Sequence, residues 1–161
     1  MTTTAAEQAA HPAPKVGLPR VQLALNVSNV DEAVAFYSRI FGATPHKRRP
    51  GYANFALTSP PLKLVLFENE GAPGTLNHLG VEVAELSDVD EARDRINASD
   101  LPSADETDVV CCHATQDKVW VNDPDGAGWE FYTITDDLPA NADPVTGLSL
   151  EAQATGACCS L

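Results

Sequence analysis

The run VQLALNV (21–27) alternates strictly, placing Val21, Leu23, Leu25 and Val27 on one face of a strand and Gln22, Ala24 and Asn26 on the other. NHLGVEV (77–83) repeats the pattern, with Leu79, Val81 and Val83 on one face and His78, Gly80 and Glu82 on the other. Each run leads into a helical segment. The first, NVDEAVAFYSRIFG (29–42), offers Asp31 as N-cap and Gly42 as its stop; the second, DVDEARDRINAS (88–99), opens in nearly the same words. Three strand-like runs follow each helix. In the first half they lie around HKRR, YANFAL and LKLVLFE, with SPP dividing the last two. In the second they are VVCCHA, KVWV and GWEFYTI, the last two joined through NDPDGAG.

Each half reads strand, helix, three strands. The expected class is α+β, two βαβββ modules at about residues 20–70 and 77–136. Apolar strand faces belong under the helices, and the opposite faces stay open. Joined edge to edge, the modules make a mixed sheet curled into a cup. Gln22 and His78 occupy matching positions on its floor. Glu130 and Tyr132 face away from Trp129 and Phe131, so Glu130 is aimed at the same floor. The first module's counterpart of Glu130 falls among apolar residues near Leu64 and Val65, which predicts three convergent ligands and not four.

Composition narrows the partners. At 161 residues the chain is one domain's worth, able to bury roughly 68–70% of its unfolded surface without disulfides or a structural metal. A net charge of −13 argues against nucleic acid and anionic membrane, which both demand a basic face. No apolar stretch approaches a membrane span. The start, MTTTAAEQAAHPAPKVGLP, lacks the basic and apolar regions of a secretory signal, so a reducing cytoplasm is expected. Residues 1–19, rich in Ala, Thr and Pro, and 137–161, without periodicity, read as disordered tails flanking a folded part at 20–136.

One imidazole, one carboxylate and one amide oxygen form a three-ligand site with positions left for water or substrate. That set suits non-haem iron(II), and zinc or manganese would also fit. The cysteines suggest a second chemistry. All four occur as adjacent pairs, Cys111–Cys112 and Cys158–Cys159. Neighbouring cysteines make poor structural disulfides, but two close thiolates chelate thiophilic ions and trivalent metalloids. Regular strand geometry sends Cys111 and Cys112 to opposite faces, so chelation by both requires a loop or bulge. The polar stretch DETDVVCCHATQDK reads as a mobile one, with His113 and Lys118 near enough in sequence to favour the thiolate.

The segments RVQLALNV, FYSRIFGATPHKRRPGYANFAL, PPLKLVLFE, GTLNHLGVEV and CCHATQDKVWVNDPDGAGWEFYT carry a family resemblance over residues 20 to about 136. The paired modules resemble the vicinal oxygen chelate superfamily, with its glyoxalases, extradiol dioxygenases and bleomycin-resistance proteins. Within it the chain is similar to the ArsI-type carbon–arsenic lyases and the cadmium-induced CadI proteins. The resemblance implies an Fe(II)-dependent dioxygenase, with Gln22, His78 and Glu130 as iron ligands and Cys111 and Cys112 holding arsenic in catalysis. It implies a trivalent organoarsenical such as methylarsonous acid or a reduced aromatic arsenical as substrate, dioxygen as co-substrate, and arsenite as product. Members often form homodimers, which the resemblance leaves open here, along with any part for Cys158 and Cys159. The competing expectation is a resistance protein that binds cadmium or arsenite without turnover. A glyoxalase-like isomerase or bleomycin binder fits less well, since neither needs adjacent thiols.

Overall fold

A computed structural model of the protein describes residues 17–137. β1 (Arg20–Val27) leads into α1 (Val30–Phe41), and β2 (Lys47–Arg49), β3 (Tyr52–Thr58) and β4 (Pro61–Glu68) complete the first module. The second repeats that order with β5 (Leu76–Glu82), α2 (Leu86–Asn97), β6 (Ser103–Cys111), β7 (Ala114–Asn122) and β8 (Gly128–Asp137). The eight strands form one mixed sheet in the order β2-β3-β4-β1-β5-β8-β7-β6. β1 is parallel to β4 and β5 to β8, while β1 and β5 pair antiparallel at the centre, so the modules meet edge to edge. The expected α+β class and paired βαβββ modules are present. Of the segments read as tails, 1–16 and 138–161, with Cys158 and Cys159, lie outside the described residues. No helix among the described residues is long and apolar enough to cross a membrane.

Both helices start differently from expectation. Asn29, not Asp31, caps α1: its Oδ1 accepts the Glu32 amide at 2.9 Å. Asn prefers this position because its short side chain reaches the unpaired first-turn N–H groups. Asp31 sits inside the first turn, where its carboxylate pairs with Arg48. Gly42 ends the helix at φ 60, and its amide returns to the Ser38 carbonyl. α2 begins two residues before Asp88 because Asp88 is the third helical residue of a capping box. Its Oδ2 accepts the Glu85 amide at 3.0 Å.

Each helix covers the apolar face of its own module. Val30 and Val34 pack on Ala53, Phe55, Leu57, Leu64 and Leu66, with Leu23, Leu25 and Val27 beside them. Val89, Ala92 and Ile96 pack on Val83 and Val119, beside Val81 and Phe131. The period-two sorting is therefore observed, and the polar face is the inside of the cup. It is deeply buried: Gln22, Asn26, His78, Glu82, Lys118 and Glu130 are all closed to solvent.

The cysteine segment departs most from expectation. The stretch read as a mobile loop is a hairpin, with β6 and β7 paired from Ser103↔Val121 to Cys111↔Ala114 and a register shift between Glu106 and Val109. Cys112 and His113 form its two-residue turn, at φ 52 and φ 64. Such a turn matches the strand twist, but it sets two non-glycine residues in the left-handed region at about 1–2 kcal/mol each. Contacts from β2, β3 and the hairpin's own β7 hold it there. Lys47 Nζ donates to the His113 carbonyl at 2.9 Å, Gln116 Nε2 donates to the Cys111 carbonyl at 3.0 Å, and the His113 ring lies 5.1 Å from that of Tyr52.

The α1 layer supplies a direct check on the core. Leu66 is fully buried. Leu66→Ala is expected to cost about 2–5 kcal/mol in urea unfolding, from lost burial and the cavity left behind.

Candidate metal and thiol site

Three register facts bring the ligand candidates together. Gln22 on β1 lies directly across from Gly80 on β5, and Gly80 lies directly across from Glu130 on β8. Gly80 thus occupies the middle of a row whose outer side chains lean over it. A Cβ at this position would stand 2.9 Å from Glu130 Cγ and 3.1 Å from the Glu130 carbonyl oxygen. His78, two residues along the same face of β5, completes the cluster. Gln22 Nε2 donates to Glu130 Oε1 at 2.6 Å and lies 3.0 Å from His78 Nε2, which is 3.3 Å from Glu130 Oε1.

The His78 tautomer follows from a directed chain of hydrogen bonds. The Ala72 carbonyl only accepts, so the Thr75 hydroxyl donates to it at 2.6 Å. Thr75 Oγ1 then accepts from Asn26 Nδ2 at 2.9 Å, leaving Asn26 Oδ1 to accept from Asn77 Nδ2 at 2.9 Å. Asn77 Oδ1 therefore faces His78 Nδ1 at 2.7 Å and requires a proton on it. In the neutral ring the lone pair is then the one on Nε2, which faces the cluster, as a metal-binding imidazole requires.

Glu130 is held as an anion. Burial alone would raise its carboxyl, but chiefly the Lys118 charge outweighs that and lowers it to about 2. Lys118 Nζ donates to Glu130 Oε2 at 2.8 Å and lies over the Trp120 ring at 5.4 Å. Burial opposes the Lys118 cation as well, and chiefly the Glu130 charge raises it. A neighbouring network repeats the device. Arg20 Nε meets Glu82 Oε2 at 3.0 Å and Lys63 Nζ meets it at 3.3 Å, beside the Tyr132 hydroxyl.

These residues fit a divalent metal ion. Cis donors about 2.1 Å from one ion stand about 3 Å apart, which is the scale of the three separations above. The set combines a neutral imidazole nitrogen, an ionised carboxylate and an amide. Gln22 now turns Nε2 to the cluster, and ligation through its oxygen would take the amide with its two ends exchanged. The Tyr132 hydroxyl, which donates to Gln22 Oε1, would then accept from Nε2 and donate to Glu82. Val65, on the neighbouring β4, is buried among Ala24, Tyr52 and Phe67 and offers no donor.

The thiols approach from the turn. Cys112 lines one cavity with Gln22, Glu130, Lys63 and Gln116, and its void of about 10 Å³ is the size of a single water. Cys111 is disulfide-bonded, whereas Cys112 takes part in no disulfide. Their sulfurs are 3.3 Å apart, too far for a bond to each other at about 2.05 Å. The help expected from His113 does not come from its charge: burial, then the Arg49 and Lys47 charges, lower its pKa. Lys118 is the cation in reach, since a Cys112 thiolate is among the charges that raise it. Asn77, Asn26 and Gly80 escaped the sequence reading as site residues. The Asn-His dipeptide was visible, but its partners come from β1 and the segment before β5.

A glycine-seated cluster on the floor of a paired-module sheet defines the class of protein. A family model described as the Glyoxalase/Bleomycin resistance protein/Dioxygenase superfamily matches residues 20–131, and the chain belongs to that family. It is 55% identical over 120 residues to the cadmium-induced protein CadI of Mycobacterium tuberculosis (strain ATCC 25618 / H37Rv), covering 74% of this chain and 79% of that one. It is 50% identical over 121 residues to the trivalent organoarsenical cleaving enzyme of Thermomonospora curvata, covering 74% and 80%. Among solved structures, homoprotocatechuate 2,3-dioxygenase from Arthrobacter globiformis shares the fold at TM-score 0.55 and 18% identity, over 80% of this chain and 41% of that one. The Mn(II)-bound glyoxalase from Novosphingobium aromaticivorans matches at TM-score 0.53 and 19% identity, over 78% and 44%.

Two substitutions test the cluster. Gly80→Ala is expected to displace Glu130 and cost about 1–3 kcal/mol of stability in thermal unfolding, as overpacking does. Lys118→Met leaves a buried carboxylate without its cation and should cost about 3–5 kcal/mol at pH 7. The folded Glu130 carboxyl lies near 2, below its ordinary 4.5. Its contribution is therefore present above pH 4.5 and lost as pH falls through about 2. Urea midpoints at pH 7, 4.5 and 2 should show the gap between wild type and variant closing across that window.

Proposed function

We propose that this protein cleaves the carbon–arsenic bond of trivalent organoarsenicals, releasing arsenite, with Fe(II) held by Gln22, His78 and Glu130 and dioxygen as co-substrate. The observation that carries the reading is the single cavity lined by both Cys112 and the pair Gln22–Glu130. Relatives named as trivalent organoarsenical cleaving enzymes, at 50% and 39% identity, support it.

A ferrous ion in this cluster supplies the redox centre at which dioxygen is activated. The chain's own residues do the rest. Cys111 and Cys112, both reduced, capture the arsenical by displacing its hydroxyls: CH3As(OH)2 + 2 RSH gives CH3As(SR)2 + 2 H2O. Fixing arsenic at the turn presents its carbon toward the cluster, turning an encounter into an intramolecular step. Lys118 keeps Glu130 ionised for ligation, and the Asn77–Asn26–Thr75 chain holds a proton on His78 Nδ1 with Nε2 turned to the cluster. The overall balance, CH3As(OH)2 + O2 to As(OH)3 + CH2O, closes without an outside reductant. The cysteine disulfide must be reduced first, so activity should depend on added thiol.

A second reading has its own support: CadI relatives, at 55% identity, are named as cadmium-induced. On it the chain binds cadmium or arsenite at the thiols without turnover. Arsenic speciation after incubation with methylarsonous acid, Fe(II), thiol reductant and air separates the two. Arsenite release is the expected result; intact methylarsonous acid with tight cadmium or arsenite binding would favour sequestration. Replacing both Cys111 and Cys112 by Ser should abolish release with iron content nearly unchanged. His78→Ala should lower iron occupancy itself.

A further inference from the structure

Between the thiol-bearing turn and the ligand cluster, two buried carbonyl oxygens meet no hydrogen-bond donor among the described residues: Gln116 Oε1 and Asn54 Oδ1. Their side chains are 4% and 3% exposed. Gln116 on β7 and Asn54 on β3 line the same small cavity as Cys112. The orientation of Gln116 is dictated by its neighbour. Its Nε2 donates to the Cys111 carbonyl at 3.0 Å, and a backbone carbonyl only accepts, so the oxygen is the end left over. Asn54 Nδ2 is taken by the Tyr52 hydroxyl at 2.7 Å.

Native interiors seldom leave such acceptors bare, so a donor belongs between them. The void, about 10 Å³, admits one hydroxyl-sized group. The carboxylates on its wall are already paired, Glu130 with Lys118 and Asp137 with Lys47. What remains beside Gln116 and Asn54 is neutral acceptor capacity, which suits a neutral O–H donor. That donor must also lie beside a thiol.

We propose that Gln116 and Asn54 form a hydroxyl-recognising subsite, accepting from the As–OH group that a trivalent arsenical retains once captured at the turn. The proposal rests on the arsenical reading above and deepens it. Capture of arsenous acid by two thiols, As(OH)3 + 2 RSH to (RS)2AsOH + 2 H2O, leaves one hydroxyl on arsenic and involves no oxidation. Capture of dimethylarsinous acid, (CH3)2AsOH + RSH to (CH3)2AsSR + H2O, leaves none. The subsite therefore favours hydroxyl-bearing arsenic over fully substituted arsenic at the same sulfur.

The test titrates the reduced full chain, without iron or oxygen, with each of these two compounds. Gln116→Met and Asn54→Leu each remove one orphan oxygen and keep the side chain's bulk, Gln116→Met losing the donor to the Cys111 carbonyl as well. Each is expected to weaken arsenous acid about 3- to 10-fold, the value of one neutral hydrogen bond, and to leave dimethylarsinous acid within about twofold. Equal weakening of both compounds would show a merely structural role and overturn the proposal. Unchanged binding of both would show that the oxygens hold only a water, with the same result. Should Gln116→Met fail to fold, Asn54→Leu carries the test alone, with dimethylarsinous acid reporting an intact thiol. No step here breaks a carbon–arsenic bond. A selective effect on arsenous acid in a chain that never releases arsenite from methylarsonous acid would keep the subsite and end the lyase reading.

Discussion

A missing side chain governs this site. Gln22 and Glu130 stand on strands that are not neighbours, and Gly80 occupies the strand between them. Only because nothing projects from Gly80 do the outer side chains close to 2.6 Å across it. The antiparallel pairing of β1 with β5 sets that row, and the same pairing sets Ala24 opposite His78. A one-residue slip would turn Gln22 to the helix face and Ala24's apolar neighbours into the cup. The helix layers oppose such a slip, since each face has its own partners to lose.

The cup interior inverts the charge of the molecule. A chain with net charge −13 buries Arg20, Lys47, Lys63 and Lys118 on its concave side. Each is matched to a carboxylate, Glu82 taking two of them. Unpaired, any of these groups would be expensive to bury, so the pairs stand or fall together. The arrangement also keeps Glu130 ionised despite complete burial. Electrostatic pairing thus holds Glu130 and the directed hydrogen-bond chain orients His78, two members of one cluster.

The thiol-bearing turn is positioned by a different economy. Two left-handed residues that are not glycine are held by Lys47, Gln116 and Tyr52, drawn from both modules. The first module therefore controls where the second module's cysteines sit. Gln116 links the two halves of the chemistry: it anchors the turn through the Cys111 carbonyl and turns its oxygen into the cavity shared with Glu130.

Much of this was legible in order and period alone. Strict alternation in 21–27 and 77–83 determined which residues face the helices, because a strand's side chains have no third direction to take. The repeated order of elements determined the two-module class, and Gly42 the end of α1. Alternation along 128–134 also aimed Glu130 at the open face. Other features depended on partners distant in the chain. Asn29 and Asp31 are both good caps, and the chosen start left Asp31 to pair with Arg48. The polar run before Cys111 reads as loop by composition, yet pairing with β7 makes it a strand. The use of Lys118 as Glu130's counterion, the Asn77–Asn26–Thr75 chain and the acceptors in the cavity have no local signature. Periodicity decides the face a residue takes; only strand register, built from bonds between remote segments, decides what it meets there.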